Sequence, residues 1–126
     1  MFAKETNKLE SFLGANSNFK GELSLKGTLR IDGQVDGSLD ADCVILSESA
    51  VVKGEIKAKK IIVGGKVEGN LRAQELVEIK SKGKVWGDIF AHTLAVVEGG
   101  EFNGKVEMKK EVGKVIELEL RSQETS

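Results

Sequence analysis

Val67-Glu68-Gly69-Asn70-Leu71-Arg72-Ala73 decides the fold. Its apolar and small residues fall on alternate positions around a glycine, the period of a β-strand whose side chains point to opposite faces in turn. The same apolar-x-Gly-x-apolar-x-small pattern precedes it at Val52-Lys53-Gly54-Glu55-Ile56-Lys57-Ala58 and follows it at Val85-Trp86-Gly87-Asp88-Ile89-Phe90-Ala91. Further out it stands at Val35-Asp36-Gly37-Ser38-Leu39-Asp40-Ala41, at Phe19-Lys20-Gly21-Glu22-Leu23-Ser24-Leu25 and at Phe102-Asn103-Gly104-Lys105-Val106-Glu107-Met108. The six glycines are spaced 16, 17, 15, 18 and 17 residues apart. A period near 17 marks a repeat architecture.

About eight residues beyond each glycine lies a second apolar cluster: Leu29/Ile31, Val44/Ile45/Leu46, Ile61/Ile62/Val63, Leu76/Val77/Ile79 and Leu94/Ala95/Val96. Each repeat therefore holds several short strands. Seventeen residues split over three faces leave five or six per face, too few for a βαβ unit or a propeller blade and suited to one coil of a β-solenoid. The expected fold is all-β, a single-domain parallel β-helix of about six coils. With coils ~4.8 Å apart, the rod is about 25–30 Å long. The recurrent glycine sits where a side chain would collide with the rung above or below. Proline is absent, in keeping with a ladder that needs every N–H.

Composition narrows the function. The 126 residues hold 19 Lys+Arg against 20 Asp+Glu, a formal charge of −1, and no block of five like charges occurs. This argues against direct nucleic-acid binding, which rests on clustered cations. No apolar run approaches the ~20 residues of a membrane span, and no basic region followed by a long apolar core marks a secretory leader. The single cysteine, Cys43, is read as a small buried hydrophobe, in keeping with a reducing cytoplasm.

A solenoid has two open ends that expose unpaired backbone and its apolar interior. Phe19 opens the first coil; Phe102, followed by Val106 and Met108 on the inward parity, closes the last. No amphipathic helix is at hand to cap either end, so these four residues are the expected polymerisation interface, with copies stacking end to end. The chain divides into a flexible N-terminal tail at 1–17, the β-helix at 18–109, and a C-terminal tail at 110–126. The alternative to open ends is that the flanks fold back as lids, for which residues 112–120 alternate well enough; otherwise the C-terminal segment is a tail.

Catalytic chemistry has few candidates. His92 is the only histidine, short of the three that zinc-dependent hexapeptide-repeat enzymes use. Asp32, Asp36, Asp40 and Asp42 form the only acidic cluster and read as a solvated face. Gly64-Gly65 and Gly99-Gly100 do not continue into a calcium-binding nonapeptide, and no Gly-rich phosphate cradle leads into a helix. The chain is thus expected to be no enzyme and to use no cofactor, metal or nucleotide. One irregularity stands out: Trp86 and Phe90 occupy outward positions that are polar in the other copies. They mark a candidate patch for lateral pairing, partner docking or membrane contact, unless the segment 115–120 covers them. A discrete, non-polymerising adaptor binding one partner through this patch is the alternative to a self-assembling scaffold.

Three segments together resemble the bactofilin family of bacterial polymer-forming cytoskeletal proteins. They are Leu29-Arg30-Ile31-Asp32-Gly33-Gln34-Val35-Asp36-Gly37, the Val67–Leu71 copy, and the ending from Gly87-Asp88-Ile89-Phe90-Ala91 to Glu101-Phe102-Asn103-Gly104-Lys105-Val106-Glu107-Met108. The resemblance covers roughly residues 11–108. It implies a right-handed β-helix and assembly without nucleotide into nonpolar filaments. It places these at the inner face of the cytoplasmic membrane, supporting cell shape or positioning cell-wall enzymes and other clients. Met1 and Phe2, followed by Lys4, are similar to the family's short apolar membrane-targeting tip. One Phe contributes only ~1.5–3 kcal/mol on burial, so such a tip depends on repetition along a filament.

Overall fold

Glycine lies on glycine in the computed structural model, which describes residues 9–108 and 114–116. The strands are β1 (Leu9–Leu13), β2 (Asn18–Ser24), β3 (Thr28–Ile31), β4 (Gln34–Asp40), β5 (Cys43–Leu46), β6 (Val51–Val63) and β7 (Lys66–Ile79). They continue as β8 (Lys84–Trp86), β9 (Ile89–Ala91), β10 (Thr93–Val96), β11 (Glu101–Asn103), β12 (Val106–Met108) and β13 (Lys114–Ile116). Every pairing between them is parallel. No helix occurs among the described residues. The fold is the parallel β-solenoid that the repeat predicts.

The path β2–β4–β6–β7–β8–β11 makes six rungs of the first face, and β9 and β12 carry the second face on beyond β7. The third face runs β1–β3–β5–β6–β7–β10–β13. Its end strands lie outside the span 18–109 that the repeat marks out. Leu9–Leu13 pairs with β3 and Lys114–Ile116 with β10. Neither segment carries the glycine motif, because the third face never does; they join the ladder by backbone pairing, and Leu13 also packs against the core.

Apolar columns fill the interior. Val35, Val52, Val67 and Val85 stack on the first face, and Leu39, Ile56, Leu71 and Ile89 on the second, all essentially fully buried. Val44/Leu46, Ile61/Val63 and Val77/Ile79 stack on the third. Each such side chain supplies about 1.5–3 kcal/mol. Past the second face a buried alanine recurs at Ala41, Ala58, Ala73 and Ala91.

The glycine of the repeat has a backbone cause. At Gly54 φ is +135°, and a Cβ there would lie 1.8 Å from the carbonyl oxygen of Gly37 one rung earlier. The forbidden direction thus runs along the rod axis into the preceding rung. The uneven spacing arises elsewhere: the turn Gly64-Gly65 is two residues shorter than its neighbour at 47–50, and Gln74-Glu75 adds one residue beside Lys59.

Candidate assembly surfaces

Both ends of the rod leave strand edges open among the described residues. β2 pairs only with β4, β11 only with β8 and β12 only with β9. Each end also carries apolar side chains that are half-buried rather than sealed. Phe102, Val106 and Met108 lie at one end and Phe19 at the other, all packed against the core with part of their surface uncovered. Leu13, Leu23 and Leu25 join Phe19 there. Sequence reading singled out Phe19 alone at that end, although Leu23 and Leu25 share its inward parity and could have been found from it. Leu13 carried no signal, because its strand lacks the repeat.

Gly21 adds a geometric feature. In each inner rung the missing Cβ points toward the preceding glycine, so at Gly21 it points out of the end of the rod, where the nearest atom is Phe19 Cζ at 3.9 Å. Its φ is +130°. The end rung therefore offers the same flat backbone that the inner rungs stack upon.

Trp86 and Phe90 line different grooves. A bend at Gly87, with φ +142°, separates β8 from β9. Trp86, 39% exposed, shares a shallow groove with Lys84, Glu101, Phe102 and Asn103. Phe90 lies in another, beside Arg72 and Glu107. The Arg72 guanidinium stacks 4.5 Å from the Phe90 ring centroid, a cation–π contact, and pairs with Glu55 at 3.3 Å. Phe90 is thus half-covered by its own chain. Lys114–Ile116 runs on the third face against β10, and residues 117–120 lie outside the described residues, as do Met1 and Phe2.

The charged surface is arranged as ladders. Lys20, Asp36, Lys53 and Glu68 follow one another on successive rungs of the first face, alternating in sign. Asp40 stacks on Lys57 in another column, and Asp42 accepts the Gly27 N–H at 2.9 Å. The four aspartates are therefore spread over different columns. Arg30 donates to Asp32 at 3.0 Å and holds its carboxyl below the usual aspartate range. Burial pushes the Cys43 thiol up, with Lys60 opposing. Among the described residues no three His, Cys, Asp or Glu side chains gather as a metal site. His92 is half-buried, and among the described residues no helix is long and apolar enough to cross a membrane.

An open-ended stack of parallel rungs, with apolar residues left half-covered at both ends, defines a structural solenoid module. Residues 11–107 match the bactofilin family model, described as polymer-forming cytoskeletal. The chain belongs to the bactofilin family. It is similar to bactofilin BacP of Myxococcus xanthus (strain DK1622), 35% identical over 104 residues, which are 82% of this chain and 43% of BacP. It is also similar to bactofilin BacO of the same organism, 30% identical over 106 residues, 83% of this chain and 84% of BacO. The chain thus spans less than half the length of BacP. No solved structure matches it.

Proposed function

We propose that this bactofilin polymerises end to end, without nucleotide, into nonpolar filaments lying on the inner face of the cytoplasmic membrane. There the filaments support cell shape or position cell-wall machinery. The observation that carries this reading is the state of the two ends: open strand edges around the half-buried Phe19, Leu23 and Leu25 at one, and Phe102, Val106 and Met108 at the other. Stacking hides that apolar surface and satisfies the free N–H and C=O groups in the same step. The nonpolar form, which the bactofilin likeness implies, joins like ends with like. Met1 and Phe2 serve as the membrane tip, each filament presenting many weak copies.

Negative-stain electron microscopy of the purified protein, without nucleotide or metal and beside Phe102→Arg, tests this. Filaments are expected from the wild type and short particles from the variant, since end stacking would bury an unpaired charge. Short particles in both samples would overturn the reading and favour a discrete adaptor.

A further inference from the structure

On the outward side of the third face, four charges stand at equal distances on either side of the line between β5 and β6 and are opposite in sign across it, while Lys60 on β6 has no such counterpart. On successive rungs β1, β3, β5, β6, β7 and β10 the residues in register are Phe12, Arg30, Ile45, Ile62, Glu78 and Ala95, and β13 adds a seventh rung with Ile116 in register with Ala95. Two residues further along each strand a second column runs Asp32, Ser47, Gly64, Lys80. It is held by ladder bonds from Ser47 N–H to the Ile31 carbonyl at 3.0 Å, Gly64 N–H to that of Leu46 at 2.7 Å and Lys80 N–H to that of Val63 at 2.8 Å. Within the subunit, Arg30 pairs with Asp32 and Lys80 with Glu78, each at 3.0 Å. Ile45 and Ile62 stand half-buried between these two ion pairs.

A two-fold axis drawn along the strands, midway between β5 and β6, maps this face onto a second copy of itself. It sets Ile45 against the partner's Ile62, Arg30 against the partner's Glu78, and Asp32 against the partner's Lys80. It also sets the exposed Phe12 against the partner's Ala95, large against small. All four charges meet an opposite charge. A parallel arrangement, with the axis along the rod between the two columns, would also pair unlike charges, Arg30 with the partner's Asp32 and Glu78 with the partner's Lys80. It would, however, set Ile45 and Ile62 against the partner's Ser47 and the partner's Gly64 instead of against each other. Sliding the antiparallel pair by one rung would oppose Arg30 to the partner's Ala95 and lose the match. The short Gly64-Gly65 turn keeps the rim beside the isoleucines low, where Gly64 would meet the partner's Ser47.

We propose that this face is a lateral interface between two copies of the chain, packed face to face with their rods antiparallel and centred on Ile45 and Ile62. Isologous contacts of this kind require a self-complementary surface. Four residues by six rungs cover roughly 400 Å² per copy. That is about half of a standard interface side, so a lone pair of subunits holds weakly. Repetition along two filaments multiplies the contact, so pairing accompanies polymerisation. In that respect the inference rests on the end-to-end reading above.

The test uses charge inversion in halves. Glu78→Lys with Lys80→Glu keeps the net charge and the internal ion pair, yet opposes like charges at four places across the two-fold. Adding Arg30→Glu and Asp32→Lys restores every cross-pair. Equal urea midpoints show that all three proteins fold. By negative-stain microscopy, paired filaments are expected from the wild type, single filaments from the half-inverted protein, and paired filaments again from the four-residue variant. Pairing that persists after half inversion, or a wild type of single filaments only, overturns the proposal. If the wild type forms no filament, the end-stacking reading fails. Sedimentation equilibrium at high concentration then decides the face separately. Dimers lost on half inversion and regained in the four-residue variant support the proposal, and monomers throughout overturn it.

Discussion

Gly54→Ala should damage the rod far more than Gly21→Ala, although both glycines have nearly the same backbone, φ +135° and +130°. An alanine in this region of φ costs ~1–3 kcal/mol wherever it stands. At Gly54 the new Cβ also meets the Gly37 carbonyl oxygen at 1.8 Å and its carbon at 2.8 Å. The two rungs must part by more than an ångström to reach van der Waals contact. Their ladder bonds stretch as they do, each worth about 0.5–1.5 kcal/mol net. Gly54→Ala is thus expected to cost about 4 kcal/mol or more, in the range that marks a specific structural conflict. At Gly21 the nearest atom is 3.9 Å away and only the backbone strain remains. Urea unfolding followed by far-UV circular dichroism, in the assembly-blocked Phe102→Arg background, measures both. With a slope of ~2 kcal/mol per molar, a difference of ~2 kcal/mol separates the midpoints by about 1 M. Equal midpoints would refute the claim that the glycine column exists for rung-to-rung clearance. The same Gly21 methyl would project into the end contact, so this variant should fold and still assemble poorly.

Replacing Phe2 by Ser should lower co-sedimentation of filaments with anionic lipid vesicles, and Phe102→Arg should lower it as well by removing avidity, a loss that a vesicle pelleting assay reads directly. Asp32, held below the ordinary aspartate value of 3.8 by Arg30, stabilises the fold fully above that value and loses its contribution as pH falls below it. The stability gap between wild type and Asp32→Asn should therefore close on acidification beneath pH 3.8, as urea titrations at stepped pH will record. The Cys43 thiol, raised by burial, should react with iodoacetamide at pH 8 more slowly than a free cysteine, and at the free rate once urea unfolds the protein.

Much of this molecule is legible in one dimension because a solenoid repeats its contacts. Each copy of the motif meets the next copy, so alternation around Gly37, Gly54, Gly69 and Gly87 reveals the strand period, the coil length and the inward columns together. Phe102, Val106 and Met108 are legible as an end for the same reason: nothing with the repeat follows them. Leu13 and β1 are hidden, because pairing on the third face needs only backbone and an apolar residue or two, whereas β13 falls within the alternating run 112–120. For Trp86 and Phe90 alternation gives the outward side but not the groove that each lines. Alternation counts both as outward on one strand, whereas the bend at Gly87 divides them between two strands and Arg72 closes over one ring.

The parallel coil, its six repeats and the apolar end residues can be read in one dimension, because they follow from periodicity and from what a side chain excludes in an identical neighbour. Which outward residues share a column emerges only when the coils are stacked. Arg30, Ile45, Ile62 and Glu78 are 15, 17 and 16 residues apart. Turns of unequal length bring them into line, and the balance of charge across that face exists only once the rungs are stacked.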